Sequence, residues 1–78
     1  MKLTPAKQQI VEDAVSAGYV REDGDFWIDL VKRSKHRKPR VLAGIRLYRD
    51  GTAIRLDVDL SVATGIRSHA AIRAQLGI

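Results

Sequence analysis

Seventy-eight residues, 45% hydrophobic and 29% charged, suffice for one hydrophobic core and are too few for two. The absence of cysteine excludes disulfides, thiolate metal sites and cysteine nucleophiles together. A formal charge of +5 points to an acidic partner, and it is concentrated: Lys32, Arg33, Lys35, Arg37, Lys38 and Arg40 run without an acid, leaving eight basic and nine acidic residues elsewhere, so one positive prominence is expected.

Thr4 followed by Pro5 predicts a helix start, because the threonine oxygen can accept from free amides and proline at the first position loses no hydrogen bond. Gly18 predicts its end. Between them Ala6, Ile10, Ala14 and Ala17, with Val11 and Val15 alongside, form an apolar stripe at helical spacing. Tyr19 is expected to pack back near Ala14, as the residue after a glycine cap often does. After a turn at Asp23-Gly24, Phe26, Ile28 and Leu30 alternate with Trp27, Asp29 and Val31, the pattern of a strand.

A second strand, Val41 to Arg49, meets a third, Thr52 to Leu60, across Asp50-Gly51, a dipeptide that favours a two-residue hairpin turn. Pairing Arg49 with Thr52 sets Leu47 opposite Ile54, Ile45 opposite Leu56, Ala43 opposite Val58 and Val41 opposite Leu60, all apolar. The other face then receives Tyr48 with Ala53, Arg46 with Arg55, Gly44 with Asp57 and Leu42 with Asp59. In residues 61–78, Ile66, Ala70, Ile72 and Leu76 predict a helix beneath a cap at Thr64 or Ser68, ended by Gly77. The expected fold is a single α+β domain over residues 1–78: an N-terminal helix, a three-stranded antiparallel meander and a C-terminal helix (αβββα), with both helices on one sheet face.

Two surfaces stand out as binding candidates. The first is the basic run with its connecting loop, Lys32, Arg33, Lys35, His36, Arg37, Lys38 and Arg40, whose charges cannot neutralise one another. The second is the sheet face where Arg46 is expected to oppose Arg55 beside Trp27 and Tyr48. Like charges directly opposed destabilise a sheet unless something negative lies across them, and aromatic surface beside guanidinium groups suits base stacking or a protein hot spot. Quenching by Asp57 or Asp29 within the protein is the alternative.

His36 and His69 lack carboxylates at ligand spacing, so neither metal nor cofactor is expected. The acidic Glu22 to Asp25 segment lacks the alternating ligands of a calcium loop and reads as a turn. Catalysis has one weak candidate, a small ribonuclease toxin in which His36 serves as acid or base and Arg37 or Arg40 holds phosphate.

The helix, three strands, helix order resembles the double-stranded RNA-binding domain, which implies RNA contact through Lys35 to Arg40 and through Arg67 to Arg73. That family's Gly-Pro-x-His loop is not matched, since His36 precedes Pro39, and only Arg67 stands where it has a lysine cluster. Leu60 to Arg73, with Gly65 at a turn and Ser68 to Leu76 as recognition helix, resembles a helix-turn-helix. In size and lack of motifs the chain is similar to small phage-encoded inhibitors such as anti-CRISPR proteins.

The leading expectation is a non-enzymatic module, monomer or dimer, that engages nucleic acid or a nucleoprotein complex. The alternative is a phage-type inhibitor that meets an acidic protein surface. Neither a small-molecule substrate nor a membrane is expected: Met1 to Pro5 lack the apolar run of an export signal, and no stretch approaches the ~20 apolar residues of a spanning helix. The chain is therefore expected to be cytoplasmic.

Overall fold

The computed structural model describes residues 2–35, 37, 40–58 and 63–78. Their elements, in chain order, are α1 (Pro5–Ser16), β1 (Val20–Asp23), β2 (Trp27–Arg33), β3 (Val41–Tyr48), β4 (Ala53–Arg55) and α2 (His69–Leu76). The strands form one antiparallel sheet in the order β1-β2-β3-β4.

Both helices are bounded by their own caps. Thr4 Oγ1 accepts from the Lys7 amide at 3.3 Å, with Pro5 in the first turn. At the other end Gly18 has φ 100°, and the Gly18 and Tyr19 amides donate to the carbonyls of Val15 and Ala14, both at 3.0 Å. This is the Schellman arrangement, and it turns Tyr19 into the core. There its hydroxyl donates to the Leu76 carbonyl at 2.9 Å, tying the end of α1 to the last turn of α2. In α2, Ser68 Oγ accepts from the Ala71 amide at 2.9 Å and Gly77 closes the helix in the left-handed region.

Ile10, Val11 and Ala14 of α1 and Ile72 and Leu76 of α2 meet Ile28, Leu30, Ile45, Leu47 and Ala53 of the sheet in one cluster, so both helices lie on one sheet face as expected. Each of the larger side chains, fully buried, contributes about 1.5–3 kcal/mol. Among the described residues no helix is long and apolar enough to cross a membrane.

The sheet has four strands, not three. Residues Val20 to Asp23 carry no apolar alternation because β1 is an edge strand exposed at all four positions. Its place comes from backbone pairing, Val20 with Val31 through Asp23 with Ile28. The turn moves accordingly: Gly24 donates to the Trp27 carbonyl at 2.9 Å, leaving Asp25-Phe26 as the tip. Phe26, expected in the core with Ile28 and Leu30, is 61% exposed because it lies beyond the end of the covered sheet.

The second correction is the register of the β3–β4 hairpin. Ile45 pairs with Arg55, Arg46 with Ile54 and Leu47 with Ala53, one residue away from the expected pairing. The loop holds three residues, Arg49-Asp50-Gly51. Gly51 donates to the Tyr48 carbonyl at 3.1 Å, Tyr48 donates to the Thr52 carbonyl at 2.7 Å, and Gly51 has φ 92°, while among the described residues only glycines have positive φ. That is a type I turn closed by a left-handed glycine, the bulged alternative to the two-residue turn. Ala53 is therefore buried and Ile54 faces the opposite side, while Val41, Leu56 and Val58 are only half-buried. Leu60 lies outside the described residues.

β4 ends at Arg55, well short of Leu60. Beyond it Ile66, expected within a helix, exchanges two 2.7 Å backbone hydrogen bonds with Ala53 and so covers the edge of β4. Residues 63–65 form no helix, so among the described residues the first helix of a helix-turn-helix is not formed before Gly65. With β1 included, the order αββββα also departs from that of the double-stranded RNA-binding domain.

Candidate functional site

β2 and β3 deliver the basic loop. The Ser34 amide donates to the Arg40 carbonyl at 2.9 Å, and the Arg40 amide donates to Ser34 Oγ at 3.0 Å, which pins the two ends of the loop together. Lys35, Arg37 and Arg40 are exposed, and among the described residues none of them has a carboxylate within salt-bridge distance. His36 and Lys38 lie outside the described residues. The other two members of the basic run are engaged. Arg33 bonds Glu22 through both terminal nitrogens, and Lys32 Nζ stands 4.5 Å over the Tyr19 ring.

On the sheet face opposite the helices, Trp27 pairs with Tyr48 and Asp29 with Arg46. Arg46 Nε and Nη2 donate to the two Asp29 oxygens at 2.9 and 3.1 Å, a fork-on-fork geometry that only arginine provides. The same guanidinium lies 4.6 Å from the centroid of the Trp27 ring. The indole also packs against Gly24, where an added Cβ would fall 2.3 Å from Cε2. The Asp29 carboxylate holds the Arg46 guanidinium charged beyond its ordinary range.

The expected Arg46–Arg55 opposition does not exist. With the three-residue turn, Arg46 faces Ile54, and Arg55 reaches Asp57 through bonds of 3.0 and 2.8 Å. Charge on the outer sheet face cancels locally, Glu22 with Arg33 and Asp29 with Arg46. Nor do the two expected surfaces merge. Trp27–Tyr48 closes one end of the β2–β3 ladder and Arg33–Val41 the other, about 20 Å away at the rise of an antiparallel strand.

Two further pairs, Arg21–Asp23 and Arg73–Asp13, both at 2.8 Å, join them, and among the described residues every cation in such a pair is an arginine. These bonds hold carboxyls below their usual range: Gln9 and then Arg73 act on Asp13, Arg33 on Glu22, and Arg55 on Asp57. Asp50 is lowered chiefly by the Thr52 amide, which donates to it at 2.9 Å.

Sequence reasoning missed a second cationic end. At the β3–β4 turn, a Cβ on Gly51 would fall 2.7 Å from Lys7 Nζ, and Arg67 is close enough to act on Asp50. Beside them a concave surface of about 480 Å³ is lined by Lys2, Asp25, Phe26 and Arg49. Lys2, Lys7, Arg49 and Arg67 are scattered in sequence, and it takes the pairing of β2 with β3, the packing of α1 and the Ile66–Ala53 bridge to bring them to one end. The positive charge is thus divided between the two ends of the ladder.

No known protein family matches the chain, and no curated protein or solved structure shows significant similarity to it.

Proposed function

We propose that the chain is a non-enzymatic binding module whose loop between β2 and β3 engages a polyanion, nucleic acid alone or within a nucleoprotein complex. The observation that carries this reading is the sorting of charge. Five arginines are neutralised by carboxylates elsewhere, whereas Lys35, Arg37 and Arg40 are presented together with no acid partner among the described residues. A loop closed at its base holds such charges near one another, and an approaching phosphate backbone relieves their mutual repulsion.

Mobility shift with duplex DNA, duplex RNA and single strands at two salt concentrations tests it. Binding should weaken steeply with salt, and the Lys35→Gln, Arg37→Gln, Arg40→Gln variant should flatten the log–log slope by about 0.7–0.9 for each phosphate it no longer neutralises. No shift of any nucleic acid at low salt would end this reading.

One observation favours an inhibitor that binds an acidic protein surface, of the kind phages encode. Leu42, the extra residue of a bulge opposite Lys32 and Arg33, is 63% exposed next to the loop, and Val20, 58% exposed, pairs with buried Val31 on the same sheet face. Apolar groups beside a cationic loop suit a protein partner better than a phosphate backbone. On this reading Leu42→Ser should weaken partner binding while leaving its salt dependence intact.

A further inference from the structure

We propose that the concave surface beside the β3–β4 turn takes one unstacked nucleotide of a single strand, its base on Phe26 and its phosphate between Lys2 and Arg49. This rests on the nucleic-acid reading above and adds a second binding point at the opposite end of the molecule.

Phe26 is fixed in the open. The Gly24–Trp27 hydrogen bond makes it the tip of a tight turn, and its carbonyl accepts from the Arg49 amide at 3.0 Å, so the ring is carried on a braced backbone while 61% exposed. An exposed aromatic ring on a rigid turn is a platform on which any base can stack. The volume of about 480 Å³ lies within the range of small-ligand sites.

The charges around it select an anion. Lys2 and Arg49 line the surface and Lys7 and Arg67 stand at the adjacent turn, against Asp25 and an Asp50 already occupied by the Thr52 amide. Asp25 is left to accept from an N–H of the base, which in thymine is the ring N3–H. A duplex keeps its bases stacked and presents only phosphates and groove edges, so this combination favours a single strand. The ~20 Å between the ladder ends corresponds to about six stacked nucleotides, and a strand somewhat longer than that can reach both cationic ends.

The test is fluorescence anisotropy with a labelled oligothymidylate of about twelve nucleotides, an abasic strand of equal length and charge, and a duplex. The protein should bind the oligothymidylate about 5- to 160-fold more tightly than the abasic strand, the range for stacking one base on an aromatic side chain at about 1–3 kcal/mol. Phe26→Ala should abolish that preference and leave duplex binding unchanged. Phe26→Tyr should keep the preference, and Arg49→Gln should weaken both single strands. The loop variant should lower affinity for both strands and preserve their ratio, with thermal melts confirming that each variant is folded. If Phe26→Ala retains the preference, this site is refuted and the loop reading stands; if the wild type binds no nucleic acid at low salt, both fall.

Discussion

Asp29→Asn keeps the shape of the side chain and removes its charge, so it measures what the fork-on-fork pair with Arg46 contributes. The Asp29 and Arg46 side chains are 13% and 24% exposed, which places the pair between a surface ion pair, worth at most about 1 kcal/mol, and a fully buried one, whose disruption costs about 3–5 kcal/mol. The amide can still accept one hydrogen bond from the guanidinium, so the loss should be about 2 kcal/mol. For a domain of this size that lowers Tm by roughly 8–16 °C. Urea unfolding followed through Trp27, the sole tryptophan, gives the stability and reports on the guanidinium over its ring. A cycle with Arg46→Met, which keeps the aliphatic stem, should give a coupling above about 1 kcal/mol. A loss below about 0.5 kcal/mol with unchanged Trp27 emission would refute the reasoning, since the pair would then behave as if exposed.

Gly24→Ala should displace the indole, because the new Cβ would sit 2.3 Å from Cε2; a shifted Trp27 emission maximum and a loss of about 1–3 kcal/mol are expected, and unchanged emission would contradict the packing. Arg55→Thr, which removes only an exposed partner of Asp57, should change stability by less than about 1 kcal/mol in urea titration and bring no gain, since no arginine opposes it. Acid should destabilise the fold. Asp13, Glu22, Asp50 and Asp57 titrate below their ordinary values when folded, so the unfolded chain takes up protons first. Their contribution is therefore full above about pH 5 and is lost as pH falls through the ordinary carboxylate range near 4 to the lowered folded values; a urea midpoint flat from about pH 7 to 3 would contradict this.

What the sequence made legible was local. Thr4-Pro5, Gly18, Ser68 and Gly77 bound their helices through interactions only a few residues long, and the alternation of Ile28 with Leu30 and of Ile45 with Leu47 marks the covered face. The place of the hairpin was legible too, but not its register. Asp50-Gly51 serves a two-residue turn and a bulged three-residue turn equally well, and because Ala53 and Ile54 are both apolar, either can face the core. β1 was invisible because an edge strand exposed on both faces needs no apolar pattern. The exposed loop charges could be read from a single segment. Asp29, seventeen positions from Arg46, could be named as its partner only alongside Asp57, and the gathering of Lys2, Phe26 and Arg49 could not be read at all, since it arises only when distant segments fold together.

All the described ion pairs use arginine, and no lysine takes part in any of them. The chain has five lysines, a number equal to its formal net charge. Acylation of the lysine amines would therefore bring the formal net charge to zero while leaving every described carboxylate–guanidinium bridge in place, with the stacking of Lys32 over Tyr19 forfeited. An amine-selective reagent can thus strip the lysine share of the attraction without dismantling the described ion pairs, and whatever attraction survives it belongs to arginines such as Arg37, Arg40 and Arg49.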